Sequence, residues 1–270
     1  MRMWVMCSTR ATLAVAAVLF LAVTPAAGQA GYRAPRTADG KPNLNGIWQA
    51  FNDANWDIEG HAAQAGPPAL GAIGAIPPGL GVVEGGPIPY LPAVAAKKKE
   101  NFDKRWTADP ELKCYLPGVP RGTYMPHPFQ ILQTPKYIMI VLQYAGAVRT
   151  IYMDDPGPAP ADSWMGWSAG RWEGETLVVD STGFNDQTWF DRAGNFHSDA
   201  LHVVERFTAT SPHHLTYEAT IEDPKVFSRP WKISMPLYRR LEQNAQLMEF
   251  KCVEFVEELM YGHLRKQPSK

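Results

Sequence analysis

Glu205 sits where a carboxylate can do chemistry. Residues 201–208 have the composition of a strand, and alternation puts Leu201, Val203, Glu205 and Phe207 on one face, with His202, Val204 and Arg206 on the other. A carboxylate sharing a face with three apolar side chains needs a partner or a raised pKa. One reading is a general acid or base in a pocket. The other is a structural ion pair, for example with Arg149 or Arg171. His197 lies just ahead of this strand, at the end of a polar segment, residues 182–200, that also holds Asn185, Asp186, Asp191, Arg192, Asn195, Ser198 and Asp199. A connection this long in a β-rich chain is often functional. The expected catalytic set is therefore Glu205 and His197 beside one pocket, with Asp186 or Asp199 orienting the imidazole. Arg171 or Arg121 would bind an oxyanion or hydroxyl of the ligand. A metal held by His197, Asp199 and His127 is the alternative, since two histidines and a carboxylate suit iron or zinc. The primary reading uses no metal and no cofactor.

Ligand-contacting residues are expected elsewhere too. Arg121 and His127 flank Tyr124 in a proline-rich stretch and offer donors to an anionic or hydroxylated ligand, unless that stretch is a plain surface turn. Among the tryptophans, Trp164 and Trp167 beside Gly166 are the candidates for a pocket wall. Several chemistries have no signature: there is no GxSxG elbow, P-loop or HExxH, and no GxGxxG after a strand. The 182–200 segment does not follow the calcium-loop spacing.

These residues must be positioned by strands. Runs rich in β-formers occupy residues 129–133, 137–143, 147–153, 177–180, 201–208, 215–221, 231–238 and 247–256, with a possible first strand around Gly46-Ile47-Trp48. Glu173-Gly174-Glu175 reads as a tight turn, and Ser211-Pro212 as the centre of a hairpin. Short strands with little helix between them predict a mainly β fold, an antiparallel β-barrel or a sandwich. Eight to ten strands suit a small barrel. Residues 60–93 are rich in glycine, proline and alanine, and Pro67-Pro68, Pro77-Pro78 and Gly85-Gly86 preclude a continuous helix or central strand. Their apolar content, including Ile76 and Ile88, predicts an irregular arm laid over the domain surface. One helix is expected over residues 94–106. The expected organisation is a signal peptide over 1–30, a first strand, arm and short helix over 31–112, and a barrel domain over 113–270.

The first thirty residues carry Arg2 and Arg10, no acidic residue, an apolar run over residues 11–23 and small residues at 26–30. That order predicts a Sec-type signal peptide and a periplasmic or extracellular protein. The apolar run is shorter than the roughly 20 residues of a bilayer span, and no membrane span is expected after cleavage. Of 26 lysines and arginines, 24 would remain against 27 acidic residues, a formal charge of −3. That balance gives no basic stripe for nucleic acid. Cys114 and Cys252 would remain as an even pair in an oxidising compartment, which predicts a disulfide; two buried free thiols are the alternative.

Several motifs together carry a resemblance. Residues 114–121 (CYLPGVPR), 128–131 (PFQI), 170–180 (GRWEGETLVVD) and 183–199 (GFND through HSD) resemble an uncharacterised family of secreted bacterial β-rich proteins, over most of the chain after residue 30. The resemblance implies export and a β architecture, and brings no catalytic residues with it. Gly46-Ile47-Trp48 in a first strand is also similar to calycin or lipocalin barrels, a fold-level likeness. Two functions follow as expectations. The first is an exported, cofactor-independent lyase, isomerase or hydrolase acting by acid–base chemistry on a small molecule in a barrel pocket. The second is a lipocalin-like binding protein for a hydrophobic or aromatic ligand.

Overall fold

The computed structural model describes residues 32–66 and 74–255. The expected signal peptide lies outside the described residues. Ten strands form one sheet: β1 (Gly46–Ala50), β2 (Val83–Glu84), β3 (Phe129–Gln133), β4 (Tyr137–Leu142), β5 (Val148–Tyr152), β6 (Trp167–Glu173), β7 (Thr176–Thr182), β8 (His202–Ser211), β9 (His214–Glu222) and β10 (Trp231–Arg239). Nine of them, β1 and β3 to β10, close into a barrel through the pairing of β1 with β10. β2 from the glycine- and proline-rich segment pairs with the first half of β10, and β1 with its last residues. Both edges of the seam are thus filled, and β1 and β2 belong to the same sheet as the later strands.

The barrel is not wholly antiparallel. Eight of its pairings are, but β5 and β6 run parallel, with Ile151 opposite Ser168. Directions cannot alternate around a ring of odd number, so nine strands require at least one parallel step. The long connection between Tyr152 and Trp167 makes it, since a parallel neighbour needs a crossover rather than a tight turn. The other connections are short where the sequence carries turn residues. Gly174, at φ 61, makes the turn between β6 and β7, and Pro212 and His213 join β8 to β9.

Alternation puts one row of each strand inside. Trp48, Phe129, Ile131, Ile151, Val179, Val203, Phe207, Leu215, Tyr217 and Leu237 are all at most 1 % exposed. The interior is filled with large side chains. The short helix α3 (Arg121–Tyr124), buried along its whole length, packs on this core; a Cβ at Gly122 would stand 2.8 Å from Leu142 Cδ1.

Three local expectations are revised. The helix over residues 94–106 is two pieces, α1 (Ala95–Asp103) and α2 (Arg105–Ala108), interrupted at Lys104. The Arg105 guanidinium donates to the Phe102 carbonyl at 2.6 Å, satisfying an acceptor near the end of α1. Residues 247–256 are expected as a strand; over the described part they pair with nothing in the sheet, and β10, the strand before them, already carries β9 on one side and β1 and β2 on the other. This tail instead crosses the outside of the barrel, anchored where Met248 N–H donates to the Gln143 side chain and Phe255 N–H to the Leu112 carbonyl. A disulfide between Cys114 and Cys252 fastens it. Over 60–93, the described residues form isolated bridges (His61 with Gly79, Gln64 with Ile76) and bury Ile76 and Ile88.

Candidate functional site

Glu205 lies inside the barrel at 0 % exposure. Arg149 on β5, itself buried, donates to Glu205 Oε2. Tyr217 on β9 donates its hydroxyl to Oε1 at 2.8 Å. Arg149 also donates from Nε to Ser168 Oγ at 3.0 Å and from Nη2 to Ser181 Oγ at 2.7 Å. The cation and carboxylate therefore satisfy each other within a polar band crossing β5 to β9. Burial, and then the adjacent carboxylate, push the Tyr217 phenol far above its ordinary range. This arrangement is the ion-pair reading of Glu205, with Arg149 as partner. Arg171 points outward and pairs with exposed Glu173.

His197 is also buried, but in a different set of contacts. Its Nδ1 lies 2.9 Å from the Ser198 carbonyl and its Nε2 2.6 Å from Thr188 Oγ1. A carbonyl can only accept, so Nδ1 carries the proton and Nε2 accepts from the threonine. Burial lowers the His197 pKa, so the ring is neutral. A hydroxyl facing a neutral imidazole has the form of a nucleophile and its base, yet Thr188 and His197 are each 3 % exposed and line none of the clefts described below. The hydrogen-bonding partners of His197 and Glu205 have no residue in common. Neither acid expected to orient the imidazole does so. Asp199 pairs with Lys225 on the surface, and exposed Asp186 accepts from Gln187; Thr188 and Ser198 hold the ring instead. With both ring nitrogens engaged, His197 is not free to join Asp199 and His127 on a metal. Among the described residues, no three His, Cys, Asp or Glu side chains stand together as metal ligands.

The 182–200 segment is shaped by Asp191, which no reading of spacing singled out. Its buried carboxylate accepts from the backbone N–H of Ile58 and from both the N–H and the side-chain amide of Asn195. Burial, then nearby Asp57, raise its pKa to about 7 against those bonds. Asp191 thereby ties the loop to the N-terminal segment and turns the next residue, Arg192, toward the tail.

Arg192 belongs to a buried charge network outside the barrel wall. It donates from Nε and Nη2 to the two oxygens of Glu111, each at 2.7 Å. Arg121, 2 % exposed, donates to Glu111 Oε2 at 2.7 Å, Asp109 Oδ1 at 3.2 Å and Asn55 Oδ1 at 2.9 Å. Burial works against ionised Glu111, but Arg192 and Arg121 outweigh it and hold its pKa down at about 2. Arg121 is thus the buried centre of this network, with each of its three nitrogens hydrogen-bonded within it.

The cleft beside this network is the candidate site. It has a volume of about 300 Å³ and lies between the tail and the loop residues Glu111, Leu112, His127, Tyr144 and Arg192, of which His127 and Tyr144 adjoin the start of β3 and the end of β4. His127, Tyr144 and Phe250 form an aromatic wall, with ring centroids 4.6 Å (His127 to Phe250) and 5.3 Å (Tyr144 to Phe250) apart. Leu112 and Val253 add apolar surface; Arg192, Glu111 and Lys251 are its charged lining, and Cys252 places the disulfide at its edge. Burial lowers the His127 pKa, with Arg192 adding to that effect and Glu111 opposing it. His127 also lines an adjoining groove with Gln49, Gln143 and Arg240. Of the residues the sequence offered for ligand binding, His127 is in the cleft. Trp164 packs on Tyr115 and Trp167 on Tyr152, each apart from it. Arg192, Tyr144 and Phe250 were not gathered by sequence reasoning, because they come from a loop, a 3-10 turn and the tail. Phe250 sits in a run of aliphatic and aromatic residues whose strand-like composition hid its role.

No family model matches the chain, and no curated protein matches it either.

Proposed function

We propose that this protein is an exported small-molecule binding protein whose ligand is aromatic, and that the cleft between tail and barrel is its binding site. The observation that carries this reading is the aromatic wall of His127, Tyr144 and Phe250 around a cleft of about 300 Å³. Ligand sites are typically concave and mostly apolar, with a few fixed polar groups, and this cleft has that make-up. The inward row of the barrel carries large buried side chains, which favours a site outside the barrel interior. Export is supported by the Cys114–Cys252 disulfide, since such bonds persist in oxidising compartments. Among the described residues no helix is long and apolar enough to cross a membrane.

Calorimetric titration with a panel of bicyclic aromatics, neutral and anionic, tests this reading. At least one member binds, and Phe250→Ala weakens it about tenfold or more, equivalent to about 1.4 kcal/mol. A panel without a binder, or a variant that binds as well as the wild type, rules the reading out.

Acid–base catalysis is a second reading for the same cleft, favoured by one observation. The depressed pKa of His127 keeps its imidazole a neutral base at pH 7. Turnover of a bound ligand that is lost in His127→Gln while binding persists would favour catalysis over binding alone.

A further inference from the structure

The charges around the cleft narrow the class of ligand, an inference that rests on the aromatic-binding reading above. Three charged side chains line it: Arg192, Lys251 and Glu111. Both oxygens of Glu111 are engaged, by Arg192 and by Arg121 behind it, and Arg121 also pairs with Asp109, so the network is neutral as a whole and offers a ligand the unused N–H groups of Arg192. Arg192 spends Nε and Nη2 on Glu111. Among the described residues its third nitrogen, Nη1, makes no hydrogen bond to the protein. The guanidinium carbon also lies over the Trp56 ring, 4.3 Å from its centroid, so its position is fixed before any ligand arrives. A cation already immobilised loses little further freedom on binding an anion, which is how preorganisation raises affinity. Lys251, 83 % exposed and paired with exposed Glu249 at 3.2 Å, adds a second cation at the rim, in a surface pair that solvent and a competing anion can open.

We infer that the ligand is a planar aromatic carboxylate, its ring against His127, Tyr144 and Phe250 and its carboxylate at Arg192 Nη1. Guanidinium pairing suits a carboxylate because both are planar and the hydrogen bonds are charge-assisted. The rim lysine draws the anion in over the distance at which charges act in dilute salt, and this contribution fades as salt is added. A neutral aromatic of the same shape gains the wall and loses the cation.

Naphthoate and naphthamide, matched in shape and differing in charge, separate the possibilities in calorimetric titrations of the full chain at pH 7. Naphthoate is expected to bind at least about tenfold more tightly, with the advantage shrinking as ionic strength rises from about 0.05 to about 0.5 M. Lys251→Glu, at an exposed position outside the buried network, lowers the ratio of naphthoate to naphthamide affinity about threefold or more. Equal affinity for the two compounds overturns the carboxylate assignment while the aromatic cleft stands. Binding of neither overturns both. Tighter naphthoate binding that ignores both salt and Lys251→Glu also overturns the assignment, because the preference would then arise away from these cations.

Discussion

Inside the barrel, Glu205 and Arg149 show what a buried charge requires. Each is desolvated, and each is paired and further hydrogen-bonded by Tyr217, Ser168 and Ser181. Breaking such a pair strands one ion and costs about 3–5 kcal/mol, whereas replacing both by apolar groups of similar size is often close to neutral. Glu205→Gln is therefore expected to lower unfolding free energy by about 3 kcal/mol or more, measured by urea denaturation. The Arg149→Met, Glu205→Leu double variant should recover most of the loss. A single variant as stable as the wild type would mean the pair is not held as described. That Glu205 faces inward was legible in the sequence from alternation alone. Its partner was one of two named arginines and was not decided there, because period-2 spacing says which face a residue takes and nothing about register across four strands. His197 illustrates the limit from the other side. The two acids expected to orient it, Asp186 and Asp199, are exposed, and a threonine nine positions earlier takes the ring nitrogen.

At the scale of elements, the tail closes one side of the cleft, against loop residues beside the ends of β3 and β4. It cannot join the sheet, since β1 and β2 already fill the edge of β10. It is held by single hydrogen bonds and by Cys114–Cys252, which spans 138 positions of sequence. Closing a loop of that length contributes about 5 kcal/mol in the chain-entropy treatment. The paired Cys114→Ser, Cys252→Ser variant is expected to lose stability of that order in urea melts and to bind naphthoate at least about fivefold more weakly, because Phe250 is no longer held against His127. Unchanged affinity in a folded variant would show that the tail does not build the site. The disulfide was readable from cysteine count and compartment, and seven of the eight strand runs from their β-formers. The tail was misread because its aliphatic and aromatic residues, chosen to cover the wall and line the cleft, have the same composition as a strand. The cap network around Arg121 was invisible for a related reason. Asn55, Asp109, Glu111 and Arg192 are scattered over segments without periodicity, and a long-range charge cluster leaves no local pattern.

For the whole molecule, closure is the governing fact. Nine strands complete a ring with one parallel step, and its inward row carries large buried side chains among the described residues. On the proposed reading, recognition takes place where the N-terminal segment, the 182–200 loop and the tail meet around Arg192. This division predicts where a ligand will be felt. The chain has seven histidines, and they sample distinct places: His127 in the cleft, His197 buried beside Thr188, His202 on the outer face of β8 between Asp180 and Glu222. The most direct test of the account is a nuclear magnetic resonance titration with naphthoate, following the imidazole signals of protein labelled at histidine. The account predicts that the His127 signal shifts with saturation while those of His197 and His202 stay in place, and that Phe250→Ala abolishes the shift. Movement of His197 with a still His127, or no movement at all, would contradict it.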